Sequence, residues 1–340
     1  MGNSVRVLEG LRFDQIPFDE LFAGNEPVLM RGLVADWSLV KAAHVSAEEV
    51  MSRLAGGYNG KPVIAYIGES DIRGRFGYNE GLTAFNYRAE RHDLRAVLDL
   101  IREGFSDPAH RHYYMNSIVV DECFPELARE NTLLFNHSVF ERYRHVGKIW
   151  IGNESVAAAH YDIPRNIACC VLGRRRFTLF RPEQVANLYP GPLDLTPGGQ
   201  VVTMANLQQP DFARFPRLRD ALDAACVVDM EPGDALYYPS LWWHEVEARD
   251  PFNVMMNYWW VDSPAYMGNP MDVLMHAVLG LRDRPLADRQ AWRALFDYYV
   301  FGDSELPRAH LPAHALGALA EMNEEIARRL RASVHRSLNR

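Results

Sequence analysis

The chain has 340 residues, with 36 Lys+Arg against 44 Asp+Glu and a formal net charge of −8, which excludes a nucleic-acid binder working through a broad basic field. Hydrophobic residues make up 48% and charged residues 24%, the balance of a globular chain and not of a disordered one. The 4 Cys contain no C-x-x-C pair, so neither a disulfide framework nor a thiolate zinc site is indicated, and any metal is expected on His and carboxylates.

Residues Met1 to Arg6 lack the apolar stretch of a secretory leader. No apolar run of the roughly 18 residues a membrane span needs is present, so no membrane contact is expected. Free thiols fit a reducing compartment, and a cytoplasmic location is the expectation. Asp14 to Gly24 reads as a short helix and Pro27 to Gly32 as a buried strand. Residues 46–54 read as a helix with Ser46 as N-cap and Glu49 at the capping-box position. Pro62 to Ile67 reads as a strand, Gly68 to Gly81 as a loop, and Asp93 to Glu103 as an amphipathic helix ended by Gly104.

From Arg111 the character changes. Tyr113–Val120, Ile149–Gly152, Asn166–Leu172, Arg175–Phe180, Ala235–Tyr238, His244–Ala248 and Val254–Val261 are short β-rich runs set apart by turn residues, the spacing of a sandwich or barrel. Gly173-Arg174 reads as a hairpin turn and Pro232-Gly233-Asp234 as another tight turn. Residues 181–230 form a long excursion with one helix, Arg217–Ala225. After Pro264 the pattern is helical: Met271–Leu281, Asp288–Tyr299 and His314–Leu338. The last carries Leu316, Leu319, Met322, Ile326, Leu330 and Val334 on one stripe. The expected class is mainly β with α. Residues 1–110 give N-terminal α/β elements wrapping the core, 111–262 the β core, and 263–340 a C-terminal helical region.

His160-Tyr161-Asp162 is the strongest local feature. Residues two apart on a strand point to the same face, so His160 and Asp162 can reach one metal ion together. A third ligand must come from elsewhere, and His244, after a tight turn and a β-run, is the best candidate. Two His and one carboxylate on one face leave open cis positions, the facial triad of non-haem Fe(II) oxygenases. An H-x-D tripeptide alone recurs by chance, so its surroundings decide.

Those surroundings are Asn166, the run Gly173-Arg174-Arg175-Arg176-Phe177-Thr178-Leu179-Phe180-Arg181-Pro182, then Leu188-Tyr189-Pro190, Pro232-Gly233-Asp234, Trp242-Trp243-His244 and Asn257-Tyr258-Trp259. In order and spacing they resemble the cupin-like JmjC family of Fe(II)- and 2-oxoglutarate-dependent oxygenases, including its asparaginyl hydroxylases. The resemblance implies a double-stranded β-helix, a jelly-roll variant. It also implies Fe(II) on His160, Asp162 and His244, with 2-oxoglutarate as co-substrate and O2 as oxidant. The family's basic residue for the distal carboxylate, Lys in the asparaginyl hydroxylases, matches Arg175, whose planar fork can pair a carboxylate twice. Alternation places Arg175, Phe177 and Leu179 on one face, away from Arg174 and Arg176. Tyr114 matches a second contact to that carboxylate, Asn116 a nearby amide, and Asn166 and Asn257 amides beside the metal. Ala157 stands where the family often has Thr.

The implied activity is hydroxylation of an amino-acid side chain in a protein or peptide, with release of succinate and CO2, in preference to a small metabolite and with no nucleic-acid partner. Trp242, Trp243, Tyr258 and Trp259 are expected as an aromatic shield, and Gly68–Gly81 and 189–200 as borders of a substrate groove. The resemblance also implies a homodimer through the C-terminal helices, with the stripe from Leu316 to Val334 as the candidate interface. Two other readings stay open at this stage: a metal-binding cupin-like module without catalysis, and a cupin enzyme that does not use 2-oxoglutarate.

Overall fold

The computed structural model describes residues 4–107 and 109–338. Residues 1–3, on which part of the leader reading falls, lie outside them. Fourteen strands occur in the described residues: β1 (Arg6–Leu8), β2 (Val28–Met30), β3 (Val63–Gly68), β4 (Arg75–Phe76), β5 (Arg88–His92), β6 (His112–Val119), β7 (Val146–Gly152), β8 (Ser155–Tyr161), β9 (Arg165–Leu172), β10 (Arg175–Phe180), β11 (Cys226–Met230), β12 (Ala235–Tyr238), β13 (Trp243–Ala248) and β14 (Asn253–Trp260). They form a nine-stranded sheet, β1-β2-β12-β9-β14-β7-β6-β3-β5, and a five-stranded sheet, β11-β10-β13-β8-β4. This is a cupin-type jelly-roll core with helices, as expected. The helices before the C-terminal region are α1 (Phe18–Gly24), α2 (Ser38–Ala43), α3 (Ala47–Gly57), α4 (Leu94–Glu103), α5 (Val120–Cys123), α6 (Pro125–Glu130), α7 (Val139–Arg142) and α8 (Leu218–Asp223).

Period-2 alternation explains how one sheet serves two cores. On β9, β14 and β7, Ile167, Cys169, Val254, Met256, Tyr258, Ile149 and Ile151 join a core with Leu39, Val50, Leu54, Leu94 and Ile101 of the helices. The residues between them face the other sheet: Ala168, Cys170 and Met255 pack with Phe177, Leu179, Val228 and Met230. The outer face of the smaller sheet is covered by the excursion, through Ala159, Phe180 and Trp243 against Leu188, Leu218 and Ala221. Ser46 Oγ caps α3 by accepting from Glu49 N at 3.1 Å.

The turns are built as their residues suggest. Gly173 has φ +79, and a Cβ there would meet Asn253 Oδ1 at 2.3 Å, so only glycine fits the hairpin between β9 and β10. Asp234 is buried and accepts from Arg31, from Gly32 N at 3.1 Å and from Glu231 N at 3.0 Å, which ties the turn before β12 to the N-terminal segment.

The chain divides into two compact units, one ending at Val261 and one beginning at Asp262. The second holds α9 (Pro270–Leu281), α10 (Leu286–Phe296) and α11 (Glu324–Leu338). Here the structure corrects the sequence reading. The helix expected over 314–338 begins only at Glu324, so Leu316, Leu319 and Met322 do not continue the stripe of Ile326, Leu330 and Val334. Gly317 takes φ +53 and Ala320 is extended, and Asn323 Oδ1 accepts from Ile326 N at 3.0 Å, restarting the helix with a new cap. Strand β11 was also not foreseen. Its Val227 and Asp229 are exposed while Val228 and Met230 are buried, a half-polar edge strand inside what reads as a loop.

Candidate metal centre

β8 and β13 pair antiparallel with His160 directly opposite His244. Their ring centroids lie 4.3 Å apart. Asp162 follows β8 on the face of His160, and its backbone oxygen accepts from Leu241 N at 2.9 Å, which holds the strand end against the segment leading to His244. One ligand atom from each of His160, Asp162 and His244 lies within 4.8 Å of the others. His244 Nε2 lies 3.6 Å from Asp162 Oδ2. Adjacency of β8 and β13 thus brings together residues 84 positions apart in sequence.

The imidazoles are oriented by their own backbone. His160 Nδ1 lies 2.8 Å from Ala158 O, and His244 Nδ1 lies 3.0 Å from Trp242 O. A carbonyl only accepts, so Nδ1 carries the proton and Nε2 presents its lone pair, the tautomer a metal ligand needs. Burial, and then the neighbouring His160, hold His244 well below the usual imidazole range. Burial pushes Asp162 up, while His160 and Lys148 work against that rise. Two neutral nitrogens and one carboxylate on a shared face suit a divalent iron with open positions.

Around this centre lies a cavity of about 460 Å³, lined by His160, Asp162, Tyr114, Asn116, Lys148 and Trp150 among others. Phe76 of the 68–81 stretch and Pro197, Gly198 and Gln200 of the excursion also line it. Asn166 and Asn257 are buried and do not line it themselves, but hydrogen bonds tie them to its wall at Trp150. Trp150 Nε1 donates to Asn257 Oδ1 at 2.6 Å, Asn257 Nδ2 to Asn166 Oδ1 at 3.1 Å, and Asn166 Nδ2 to the Tyr238 hydroxyl at 2.5 Å. The Tyr238 ring sits 4.6 Å from that of His244. Burial, with Asp162 and Tyr114 adding to it, keeps the Tyr238 phenol protonated, so it retains a proton to donate.

Arg175 points into the barrel with Phe177 and Leu179, as alternation requires, and is 3% exposed. Arg174 and Arg176 stay outside, paired with Asp250 and Asp229. Among the described residues no carboxylate lies within 4.0 Å of Arg175, and its Nε is buried without a partner. Burial works against its charge, with Cys170 and Tyr114 favouring it. Burial likewise raises the Tyr114 phenol and Arg175 opposes the rise, so Tyr114 is a neutral donor beside a buried cation. A buried guanidinium with an unpartnered Nε and a neutral phenol electrostatically linked to it fit an anionic ligand such as the far carboxylate of a dicarboxylate. Ala157, in register with Phe76, offers no hydroxyl to the cavity.

The aromatic shield is overturned in part. Trp243 packs on the outer face against Tyr161, with centroids 4.9 Å apart, and Tyr258 faces the helices and donates to Asn131 O at 2.9 Å. Trp242 belongs to the inner core. Of the four, Trp259 alone lines the cavity, because adjacent strand residues alternate faces. Lys148 and Trp150, which line the cavity, and Tyr238, which packs beside His244, were not singled out from the sequence. Lys148-Ile149-Trp150-Ile151 carried the signal: a lysine in phase with the inward residues of a buried strand.

The cupin-like domain family matches residues 15–266. Human HSPB1-associated protein 1 is 33% identical over 253 residues, covering 69% of this chain and 48% of that protein. Lysine-specific demethylase JMJ31 of Arabidopsis thaliana is 30% identical over 121 residues, covering 35% of this chain and 21% of the relative. Human tRNA wybutosine-synthesizing protein 5 is 28% identical over 195 residues, covering 57% and 53%. The chain thus spans about half or less of the length of these relatives. No helix in the described residues is long and apolar enough to cross a membrane.

Proposed function

Because this chain belongs to the JmjC-type cupin-like domain family, an enzyme family at the level of its oxygenase and demethylase members, we propose that it is an Fe(II)- and 2-oxoglutarate-dependent oxygenase. In this reading it hydroxylates an amino-acid side chain of a protein or peptide, in the cytoplasm. The observation that carries the proposal is the convergence of His160, Asp162 and His244, with both imidazoles presenting Nε2, together with a buried Arg175 whose Nε has no partner.

Iron bound with 2-oxoglutarate and O2 supplies oxidation of a C–H bond, with succinate and CO2 as co-products. The chain's own residues would do the rest. His160, Asp162 and His244 would hold the metal from one side, leaving the cavity side open. Arg175 would pair the distal carboxylate of 2-oxoglutarate, with Tyr114 donating to the same group. Asn166 and Asn257 are held by Trp150 and Tyr238, so they are oriented before any ligand arrives. Asn116 would face the co-substrate from β6. Phe76, Trp150 and Trp259 keep bulk water from the reacting atoms.

Ala157 favours the other reading, a metal-binding cupin that takes no 2-oxoglutarate, since one hydroxyl contact is missing. Arg175 weighs against it, because a buried cation without a counter-charge is costly unless a ligand supplies one. A homodimer through the C-terminal unit is part of the proposal. Its support is the exposed apolar surface of α9 and its neighbours, where Leu279 is 77% and Val273 60% exposed. The test of the oxygenase reading is metal content and 2-oxoglutarate titration of purified protein. One Fe(II) per chain and saturable stabilisation by 2-oxoglutarate are expected; a protein that binds iron but ignores 2-oxoglutarate would leave only the cupin module.

A further inference from the structure

Lys148 is the one lysine lining the cavity, among the described residues, and beyond its attraction to Asp162 it has no assigned task. It is half-buried on β7, inward-facing beside Trp150. Its Nζ donates to Ser117 Oγ at 2.5 Å and lies 4.5 Å from the centroid of the Trp259 ring. Among the described residues no carboxylate lies within 4.0 Å of it. Ser117 sits at a bulge of β6 where the register with β7 shifts between Met115 and Ile118. Its φ of +56 is the left-handed region, unfavourable for a residue with a Cβ. Such strain at a bulge re-aims a side chain and recurs beside functional sites. Here the strained residue's hydroxyl fixes the ammonium in the cavity wall.

Trp259 adds a second, independent sign. Its indole Nε1 is buried with no acceptor among the described residues. One ammonium and one indole N–H thus belong to the same wall, and the carboxylate that attracts the ammonium, Asp162, stands beyond ion-pair distance as a candidate metal ligand. Ser117 uses one of three ammonium protons, which leaves donors for a ligand. Arg175 is not among the residues that line this cavity, and in the oxygenase reading the co-substrate's distal carboxylate is assigned to Arg175, which leaves Lys148 free for another anion.

We propose that Lys148, held by Ser117 and Trp259, determines specificity by receiving a carboxylate of the substrate, so that the site takes acidic peptides, with Asp or Glu at or beside the oxidised residue. The inference rests on the oxygenase reading and sharpens its substrate class. It runs against the net charge of −8, because a desolvated local cation governs recognition more than the mean field of the surface.

The test uses matched peptide pools, Asp against Asn and Glu against Gln at one central position, with free aspartate and glutamate as a separate arm. Binding to the full-length metal-loaded protein is read by tryptophan fluorescence, and succinate is measured in parallel. Acidic pools should bind about tenfold or more tighter than their amide counterparts, as a charge-assisted bond lost on amidation predicts. Lys148→Met should erase that difference and Lys148→Glu should reverse it. Equal binding of acid and amide pools, or a preference that survives in Lys148→Met, overturns the proposal. So does loss of 2-oxoglutarate binding in Lys148→Met, which would assign the lysine to the co-substrate. Free aspartate binding as tightly as the peptides would overturn the peptide assignment. Acid-selective binding without any succinate sinks the oxygenase reading and leaves the anion selection standing.

Discussion

Replacing Arg175 by Met should strongly weaken co-substrate binding without weakening the free protein. Arg175 is 3% exposed, its Nε has no partner, and no carboxylate of the described residues reaches it. A buried cation in that state is a cost to the free fold, and an apolar side chain of similar length relieves it. Unfolding of ligand-free Arg175→Met should therefore occur at the same temperature as wild type or higher. Removing one partner of a buried, hydrogen-bonded charge pair costs about 2–5 kcal/mol, which is roughly thirtyfold to several-thousandfold in Kd. The assay is thermal unfolding of the metal-loaded protein, kept anaerobic, as 2-oxoglutarate is added. At a concentration 100 times its Kd, the ligand stabilises wild type by about 2.7 kcal/mol. Arg175→Met at that same concentration should gain little, and Arg175→Lys should fall between, keeping the charge but losing the planar fork. Equal stabilisation of wild type and Arg175→Met by 2-oxoglutarate would refute the reasoning. Strong destabilisation of the ligand-free variant would show that the guanidinium serves the fold instead.

Removal of any single metal ligand, as in His244→Ala or Asp162→Ala, should weaken Fe(II) binding by more than the roughly 10–100-fold that loss of a supporting group costs; metal analysis after dialysis reads this, and retained stoichiometric iron would count against the triad. Asp250 is held below the usual carboxylate range, chiefly by the Arg174 side chain, and also accepts from Arg174 N at 2.7 Å. A depressed folded-state value contributes stability above the unfolded pKa of about 4, lost as pH falls through the folded value. Asp250→Asn should thus cost about 1 kcal/mol near neutrality, a figure discounted for the exposure of Arg174, and nothing in strong acid; a cost independent of pH in denaturant titrations would contradict the linkage. Paired Val273→Asp and Leu279→Asp changes should halve the molar mass in light scattering if the C-terminal unit forms the dimer, and an unchanged mass in a dimeric protein would place the interface elsewhere.

The triad was legible because two of its members sit two apart on one strand and the third follows a recognisable turn. The pairing that makes them a site is His160 opposite His244, a long-range register that no local pattern contains. Arg175 was legible through strand alternation once the hairpin at Gly173 was placed. The same alternation rule, applied to adjacent residues, would have removed Trp243 and Tyr258 from the cavity. Tyr238 was hidden by its surroundings, a tyrosine in a run that reads as ordinary strand, whereas Lys148 left a signal only in its phase with the inward Trp150 of the same strand. The C-terminal stripe failed for a different reason. Apolar periodicity continued across Gly317 and Asn323, but a left-handed glycine and a new cap break the backbone that would have aligned it.

The most direct test of the account is succinate formation from 2-oxoglutarate by purified protein loaded with Fe(II), alongside Asp162→Ala prepared in the same way. The account predicts iron-dependent succinate that rises when acidic peptides are supplied and is absent from the variant. Folded, iron-loaded wild type that forms no succinate with any peptide pool, or a variant that forms as much as wild type, would contradict it.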